Sequence, residues 1–268
     1  MTGRSTRKSP WVLASTVYAG LFYAFLYLPI LALVLLSAND STTMGFPMRG
    51  LTSRWYEQAL GDGELLAALR NSVLVGIAGA AIATALALLI ALGLRRRFPL
   101  RSLVFPIVLI PLIIPGIVSG VLLLVFMGFM GVPYGLWTTV LPAHVTWVLP
   151  FAFLTLQPQV QRLDRSVEEA AMDLGATPRK VFTRVIFPIL RPAVIATLLF
   201  SFTISFDEFI RTLFVMSSER TIPTYLWVLI VERTAPFLPA IGVVLMVLSA
   251  AVAGLAFMIN KKNPSSTH

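Results

Sequence analysis

Three ionisable residues, Asp207, Glu208 and Arg211, stand inside the apolar stretch Pro192–Met216. A charge in hydrocarbon is costly unless it is paired or hydrated, so an ionisable group there is a functional candidate by default. Asp207 precedes Arg211 by four residues and Glu208 precedes it by three, so on a continuous helix either acid can reach the guanidinium. The spacing allows a structural salt bridge. It equally allows two carboxylates lining a passage, which suits a solute carrying ammonium groups. The readings are compatible, because one acid can pair while the other stays free. A second constellation lies in the polar segment 157–191, where Glu169, Ala170, Ala171, Asp173, Gly175 and Pro188 recur at fixed spacing.

Other chemistry is sparse. No G-x-x-x-x-G-K-[ST] loop is present to cradle a nucleotide phosphate. There is no G-x-S-x-G or H-E-x-x-H pattern. The chain has no cysteine, and its two histidines, His144 and His268, lie far apart in sequence. No metal cluster, cofactor or catalytic residue is therefore expected. His144, alone in an apolar stretch, reads as a packing or hydrogen-bonding residue.

These residues are positioned by a chain built for lipid. Of 268 residues, 57% are hydrophobic and 12% are charged, about half the charged share of a soluble domain. Six stretches approach the ~20 apolar residues that a span requires: Trp11–Ser37, Leu65–Leu94, Leu103–Phe129, Thr138–Leu156, Pro192–Met216 and Pro239–Ile259. Backbone groups in lipid must bond within their own segment, so these are helices. The first is too long for a cleaved signal and reads as a retained span. The net charge of +9 comes from short basic clusters between apolar blocks, a membrane pattern rather than a nucleic-acid surface. Arg4, Arg7 and Lys8, then Arg95, Arg96, Arg97 and Arg101, then Arg162 to Arg191, then Lys261 and Lys262 all fall on one side. The other side has only Arg49, Arg54, Arg220 and Arg233. The positive-inside rule then puts both termini in the cytoplasm.

The expected organisation is a tail, first span and outer loop over residues 1–64, a core over 65–260 containing the cytoplasmic loop 157–191, and a polar tail over 261–268. The outer loop is glycine-rich, with a short helix around Trp55–Leu60. Within the cytoplasmic loop, Ser166 and Glu169 have the spacing of a capping box. Gly175 stops that helix in a left-handed conformation. Thr177 and Pro178 can open a second helix, with an apolar stripe of Val181, Phe182, Val185 and Ile186. Pro188 and Pro192 then punctuate its run into the fifth span. The product is a helix–glycine–helix elbow suited to docking another protein. The third span carries Pro106, Pro111 and Pro115, then Gly116 and Gly120, which suit a kinked helix or close helix packing. Pro142 and Pro150 share that ambiguity. Trp137, Trp147 and Trp227 read as interfacial or core residues, and Thr221–Arg233 as an outer re-entrant or surface helix.

The loop resembles the E-A-A-x3-G-x9-I-x-L-P pattern of permeases in type I ABC importers. Glu169, Ala170, Ala171, Gly175 and Pro188 match, with Val185 for the isoleucine and Phe187 for the leucine. Four further strings, GFPMRGLTSRWYEQAL (45–60), RNSVLVG (70–76), PLIIPGIVSG (111–120) and SFDEFIRTLFV (205–215), are similar to the second permease of spermidine/putrescine importers. The resemblance implies an all-α integral membrane protein with six transmembrane helices and the type I permease fold. It implies a non-catalytic permease in the bacterial inner membrane. Its partners would be two ATPase subunits, a second homologous permease and a substrate-binding protein, with lipid around it and no nucleic acid. The elbow would be a coupling helix seated in an ATPase cleft, with Glu169 and Gly175 as transmission residues. The expected cargo is a polyamine, with aminobutyrate or an aminophosphonate as the alternative. A membrane enzyme with Asp207 and Glu208 as acid and base would want a histidine, metal ligands or a phosphate cradle beside them. A secondary transporter would usually show two related halves.

Overall fold

A computed structural model describes residues 10–43, 45, 47–233 and 235–261. The basic residues before Pro10, Lys262 and the tail 263–268 lie outside the described residues. Two compact units divide the chain, residues 63–228 and the flanking segments before and after them.

In the flanking unit, α1 (Pro10–Ser37) is followed by α2 (Arg54–Gly61), and α12 (Leu238–Lys261) ends the described chain. The short helix expected in the outer loop is α2. Between α1 and α2, Asn39 is buried. Its side chain donates to the Gly45 carbonyl at 3.2 Å and accepts the Arg49 amide at 2.9 Å, while its carbonyl accepts the Trp55 indole N–H at 2.8 Å. These bonds satisfy a buried amide on both sides, which is what makes its burial tolerable.

The central unit is built on α3 (Gly63–Gly93), which buries Ala68, Ser72, Val75, Gly79, Ala80, Ala83, Ala87 and Ala91 along one face. Lipid supplies no hydrophobic drive between spans, so helices associate where small residues let backbones approach. On α3 that stripe receives α6 (Leu141–Gln161) and α9 (Phe187–Phe206). The approach is close: a Cβ on Gly76 would lie 2.9 Å from the Phe202 ring.

The third expected span is two helices. α4 (Arg101–Ile113) and α5 (Gly116–Phe129) meet at 102°, so the kink foreseen from the prolines is a sharp break at Ile114–Pro115. The fifth span also departs from a single helix over Pro192–Met216. α8 (Pro178–Val181) passes through a π-helical turn, Phe182–Ile186, directly into α9, giving 29 continuous residues from Pro178 to Phe206. Pro188 and Pro192 do not interrupt it. A helical proline presses on the carbonyl four residues back, and the widened turn, closed by the Phe187 amide on the Phe182 carbonyl, gives Pro188 room. The same device precedes Pro142, where the Leu141 amide bonds the Leu136 carbonyl. The helix then ends at Phe206, and α10 (Ile210–Val215) resumes after a break at Asp207–Phe209. α11 (Ile222–Val228) follows, within the segment read as an outer re-entrant or surface helix.

Among the described residues, four helices are long and apolar enough to cross a membrane: Trp11–Ser37, Gly63–Gly93, Leu136–Gln161 and Pro178–Phe206. The bent α4–α5 pair makes a fifth, by length and composition. The sixth expected stretch falls within α12.

The two broken spans pack on each other. Gly116 faces Ile210 and Gly120 faces Phe214, four residues apart on both α5 and α10. A Cβ on Gly120 would stand 2.4 Å from the Phe214 ring. Gly120→Ala is therefore expected to destabilise the protein by about 1–3 kcal/mol through overpacking, read as a lower thermal unfolding midpoint in detergent. Phe214→Leu in the same chain should recover part of the loss. Gly93→Ala, whose added methyl meets nothing within 4 Å, should not lower the midpoint.

Candidate functional site

Two places in the central unit concentrate polar chemistry: the elbow at one end of the long helix 178–206, and the break at its other end.

The elbow begins with α7 (Arg165–Asp173). Its N-cap is Asp164, whose Oδ1 accepts the Ser166 amide at 3.0 Å, and not Ser166 as the capping-box spacing suggested. Asp164 has the extended backbone a cap needs, whereas Ser166 is already helical. The Ser166 amide, and its hydroxyl in second place, hold the Asp164 carboxyl below its usual range. The sign is the ordinary carboxylate one: the cap is intact above that range and is lost as the acid protonates.

α7 ends in a Schellman motif. The Gly175 amide bonds the Met172 carbonyl at 2.8 Å and the Ala176 amide bonds the Ala171 carbonyl at 3.0 Å. Gly175 has φ of +81°, the left-handed region where a Cβ is penalised. Thr177 has the extended backbone of the next cap, but its side chain makes no capping bond. Val181 and Ile186 are buried, with Phe182 packed against the same core.

Glu168, not Glu169, ties the elbow to the rest of the unit. Its carboxylate pairs with Arg95, just past the end of α3. Arg95 also donates to the Leu163 carbonyl at 3.1 Å, and Arg165 donates back to the Arg95 carbonyl. Glu169, Ala170, Asp173 and Gly175 are exposed, as is Pro188, and Ala171 is half-buried. α7 buries no residue at all, and Val167, Met172 and Leu174 are exposed apolar side chains on or beside it, Leu174 at 90%. An amphipathic helix with an open apolar edge is unfinished as a surface.

At the break, α9 closes with the Asp207 amide on the Thr203 carbonyl and the Glu208 amide on the Ser205 carbonyl, both at 3.2 Å. Glu208 then turns inward. Its Oε1 accepts the Arg211 amide at 2.8 Å, capping α10, and its Oε2 pairs with the Arg211 guanidinium at 3.1 Å. Both side chains are about 5% exposed or less. The guanidinium carbon lies 3.7 Å from the centre of the Trp147 ring on α6. One guanidinium nitrogen, NH2, is buried without a hydrogen-bond partner, and the ring face beneath the guanidinium offers the cation further compensation. The Asp207 side chain, between the two helices, is exposed and makes no hydrogen bond or ion pair among the described residues. Of the two acids that spacing allowed as partners of Arg211, the structure joins Glu208 and leaves Asp207 free.

Sequence reasoning missed the roles of Trp147 and Arg95, and it read His144 as a packing or hydrogen-bonding residue without its partners. Trp147 was read as an anchor or core residue, and it is the face on which Arg211 rests. Arg95 was counted only as part of a basic cluster. His144, one turn before Trp147, bonds residues on both sides of the break, with Nδ1 2.8 Å from Ser205 Oγ and Nε2 2.8 Å from Thr212 Oγ1. The i, i+3 spacing of His144 and Trp147 was a usable signal, since both must face the same neighbour. Among the described residues no group of acids, histidines or cysteines is placed to hold a metal.

Glu208→Gln keeps an acceptor for the Arg211 amide and removes the counter-charge. It is expected to destabilise the protein by about 3–5 kcal/mol, the cost of an uncompensated buried charge. Adding Arg211→Met should recover most of that. Unfolding midpoints of the three proteins in mixed micelles test both, and a Glu208→Gln midpoint equal to wild type would show that Arg211 is compensated elsewhere.

Comparison with known proteins gives the family and the fold. A family model described as binding-protein-dependent transport system inner membrane component matches residues 83–263. The chain is 34% identical over 243 residues to the spermidine/putrescine transport system permease protein PotC of Haemophilus influenzae, covering 90% of this chain and 94% of that protein. It is 33% identical over 222 residues to the putrescine transport system permease protein PotI of Escherichia coli, covering 80% and 77%. A solved bacterial alginate ABC transporter, in complex with an alginate pentasaccharide-bound periplasmic protein, has a chain that superposes with a TM-score of 0.75 at 14% identity, covering 96% of each. That likeness concerns the fold alone.

Proposed function

The chain belongs to the family of binding-protein-dependent transport system inner membrane components, and from that premise we propose that it is the permease subunit of an ATP-driven importer of a polyamine such as spermidine or putrescine. The observation that carries the cargo class is Asp207: an exposed carboxylate with no partner, in the break of an apolar helix, beside a neutralised Glu208–Arg211 pair. A carboxylate there attracts ammonium groups and repels anions. The names of the relatives point to the same cargo.

The basic clusters put both termini and the elbow in the cytoplasm. On that orientation the last basic residue of the long helix, Arg191, marks the inner boundary. Asp207 is 16 residues further on, about 24 Å at 1.5 Å per residue. Against a hydrocarbon core of about 30 Å, it sits in the outer half, on the side from which a binding protein delivers cargo. Residues 65–260 form the permease core, which pairs with a second homologous permease over two ATPase subunits. ATP is hydrolysed in those partners, and this chain is non-catalytic. The exposed face of α7, with Glu169, Ala170 and the Gly175 turn, seats in the ATPase. Because α8 continues unbroken into α9, displacement of the elbow is transmitted along one helix to the break.

ATPase activity of the complete transporter in nanodiscs, with its binding protein, tests the cargo. Stimulation by spermidine or putrescine is expected. Stimulation confined to amino acids or aminophosphonates would overturn the polyamine reading and keep the importer. Asp207→Asn is expected to raise the KM for a polyamine about tenfold, the loss of one charge contact, and unchanged uptake kinetics would remove Asp207 from the pathway. Glu169→Ala and Gly175→Arg should lower cargo-dependent ATPase activity while leaving the amount of protein in the membrane unchanged. Normal transport in both would refute the elbow's role in coupling.

A further inference from the structure

With a neutral imidazole, one pattern of donors and acceptors serves every partner of His144. Thr212 Oγ1 is 3.2 Å from the Glu208 carbonyl, which can only accept, so the threonine hydroxyl donates there. Its oxygen then accepts from His144, which makes Nε2 the protonated nitrogen and Nδ1 an acceptor. Ser205 must donate to Nδ1. The result is a one-way chain: Ser205 O–H to His144 Nδ1, His144 Nε2–H to Thr212 Oγ1, and Thr212 O–H to the Glu208 carbonyl. Every side chain in it is buried, with His144 at 1% exposure, Ser205 at 1% and Thr212 at 0%.

Ser205 is in the last turn of α9 and Thr212 is in the first turn of α10. The imidazole on α6 therefore ties together the two ends that Asp207–Phe209 separates, and its chain terminates on the backbone of Glu208, next to Asp207. We propose that His144 is the positioning residue for Asp207: by bonding α9 and α10 at once it fixes the rotation of one helix against the other, and so the direction in which the free carboxylate is presented to a cationic cargo. His144 touches no cargo. The inference deepens the reading of Asp207 as a pathway acid and rests on it for its effect on transport, though not for its geometry. A second contact supports the same arrangement. Gly79 on α3 leaves room for the bridge, since a Cβ there would lie 3.1 Å from Ser205 Oγ and 3.5 Å from His144 Cβ.

The test uses the complete transporter in nanodiscs. The chain has no cysteine, so Asp207→Cys is a unique thiol in it, and its reaction rate with a cationic methanethiosulfonate reports how position 207 is presented. His144→Leu removes both arms of the bridge. It is expected to change that rate severalfold and, with Asp207 in place, to raise the polyamine KM about tenfold while Vmax stays within about twofold. Two conservative variants guard against simple misfolding. In His144→Asn the amide oxygen replaces Nδ1 and keeps the Ser205 arm. In His144→Gln the amide nitrogen replaces Nε2 and keeps the Thr212 arm. Each should restore part of both readouts. Gly79→Ala, which leaves all three polar side chains in place but crowds Ser205, should shift them in the direction of His144→Leu. A His144→Leu complex that assembles with wild-type KM and an unchanged thiol rate overturns the proposal, as does a loss that neither Asn nor Gln relieves. If the thiol rate shifts while Asp207→Asn leaves KM unchanged, the positioning stands and the pathway reading of Asp207 is what fails.

Discussion

The central unit depends on how one buried cation is accommodated. Arg211 sits at about 4% side-chain exposure in a segment of Phe, Ile, Leu and Val, where an unpaired guanidinium would be among the most costly groups the chain could carry. Glu208 supplies the counter-charge and caps the Arg211 amide with its other oxygen. Trp147 supplies a π-face to the guanidinium, one nitrogen of which has no hydrogen-bond partner. A carboxylate three residues before an arginine can do both jobs only if the backbone between them leaves the helix, because the amide it caps must be free of an intrahelical partner. The break in the fifth span is thus the geometric condition for the ion pair, and the ion pair is what makes the break tolerable in an apolar setting.

The same helix explains why the two polar regions belong together. From Pro178 to Phe206 it runs 29 residues, about 43 Å, with the elbow at one end and the break at the other. Two prolines would ordinarily divide it. The π-turn at Phe182–Ile186 absorbs Pro188 by placing one more residue in the turn, so α8 and α9 stay joined where the sequence suggests punctuation. At the elbow the Glu168–Arg95 pair fastens α7 to the end of α3, while the Schellman turn at Gly175 sets its angle to the long helix. What remains exposed is the opposite edge of α7. The inward edge is committed to this chain and the outward edge stays exposed.

Much of this was legible. Apolar runs gave the spans because length and composition are set by the bilayer, and Gly175 was identifiable as a helix stop because the position needs a left-handed residue that only glycine adopts cheaply. The ion pair was foreseen as an option but not resolved, since Asp207 and Glu208 both satisfy helical spacing to Arg211 and only the break selects between them. At the elbow Ser166 has the capping-box spacing, yet Asp164 is the cap, because the extended backbone falls two residues earlier, soon after the preceding helix ends at Gln161. The 102° bend at Ile114–Pro115 and the continuity through Pro188 came out in opposite directions from similar proline content. Local sequence does not separate them, because the outcome rests on what packs alongside: Gly116 and Gly120 let α5 turn onto α10, whereas α9 is held straight against the small-residue face of α3.

Charge accounting at the break gives Asp207 its meaning. Glu208 and Arg211 cancel within 3.1 Å, and the polar chain through His144, Ser205 and Thr212 adds hydrogen bonds without adding an acid. One negative charge remains, and it is the one that faces outward. Had Asp207 paired with Arg211 instead, Glu208 would be the surplus acid, a buried charge without a partner. The sequence Asp-Glu-Phe-Ile-Arg thus divides labour by register. The acid three residues from the arginine turns into the protein and maintains the break. The acid four residues away is left exposed at that break, with no counter-charge of its own.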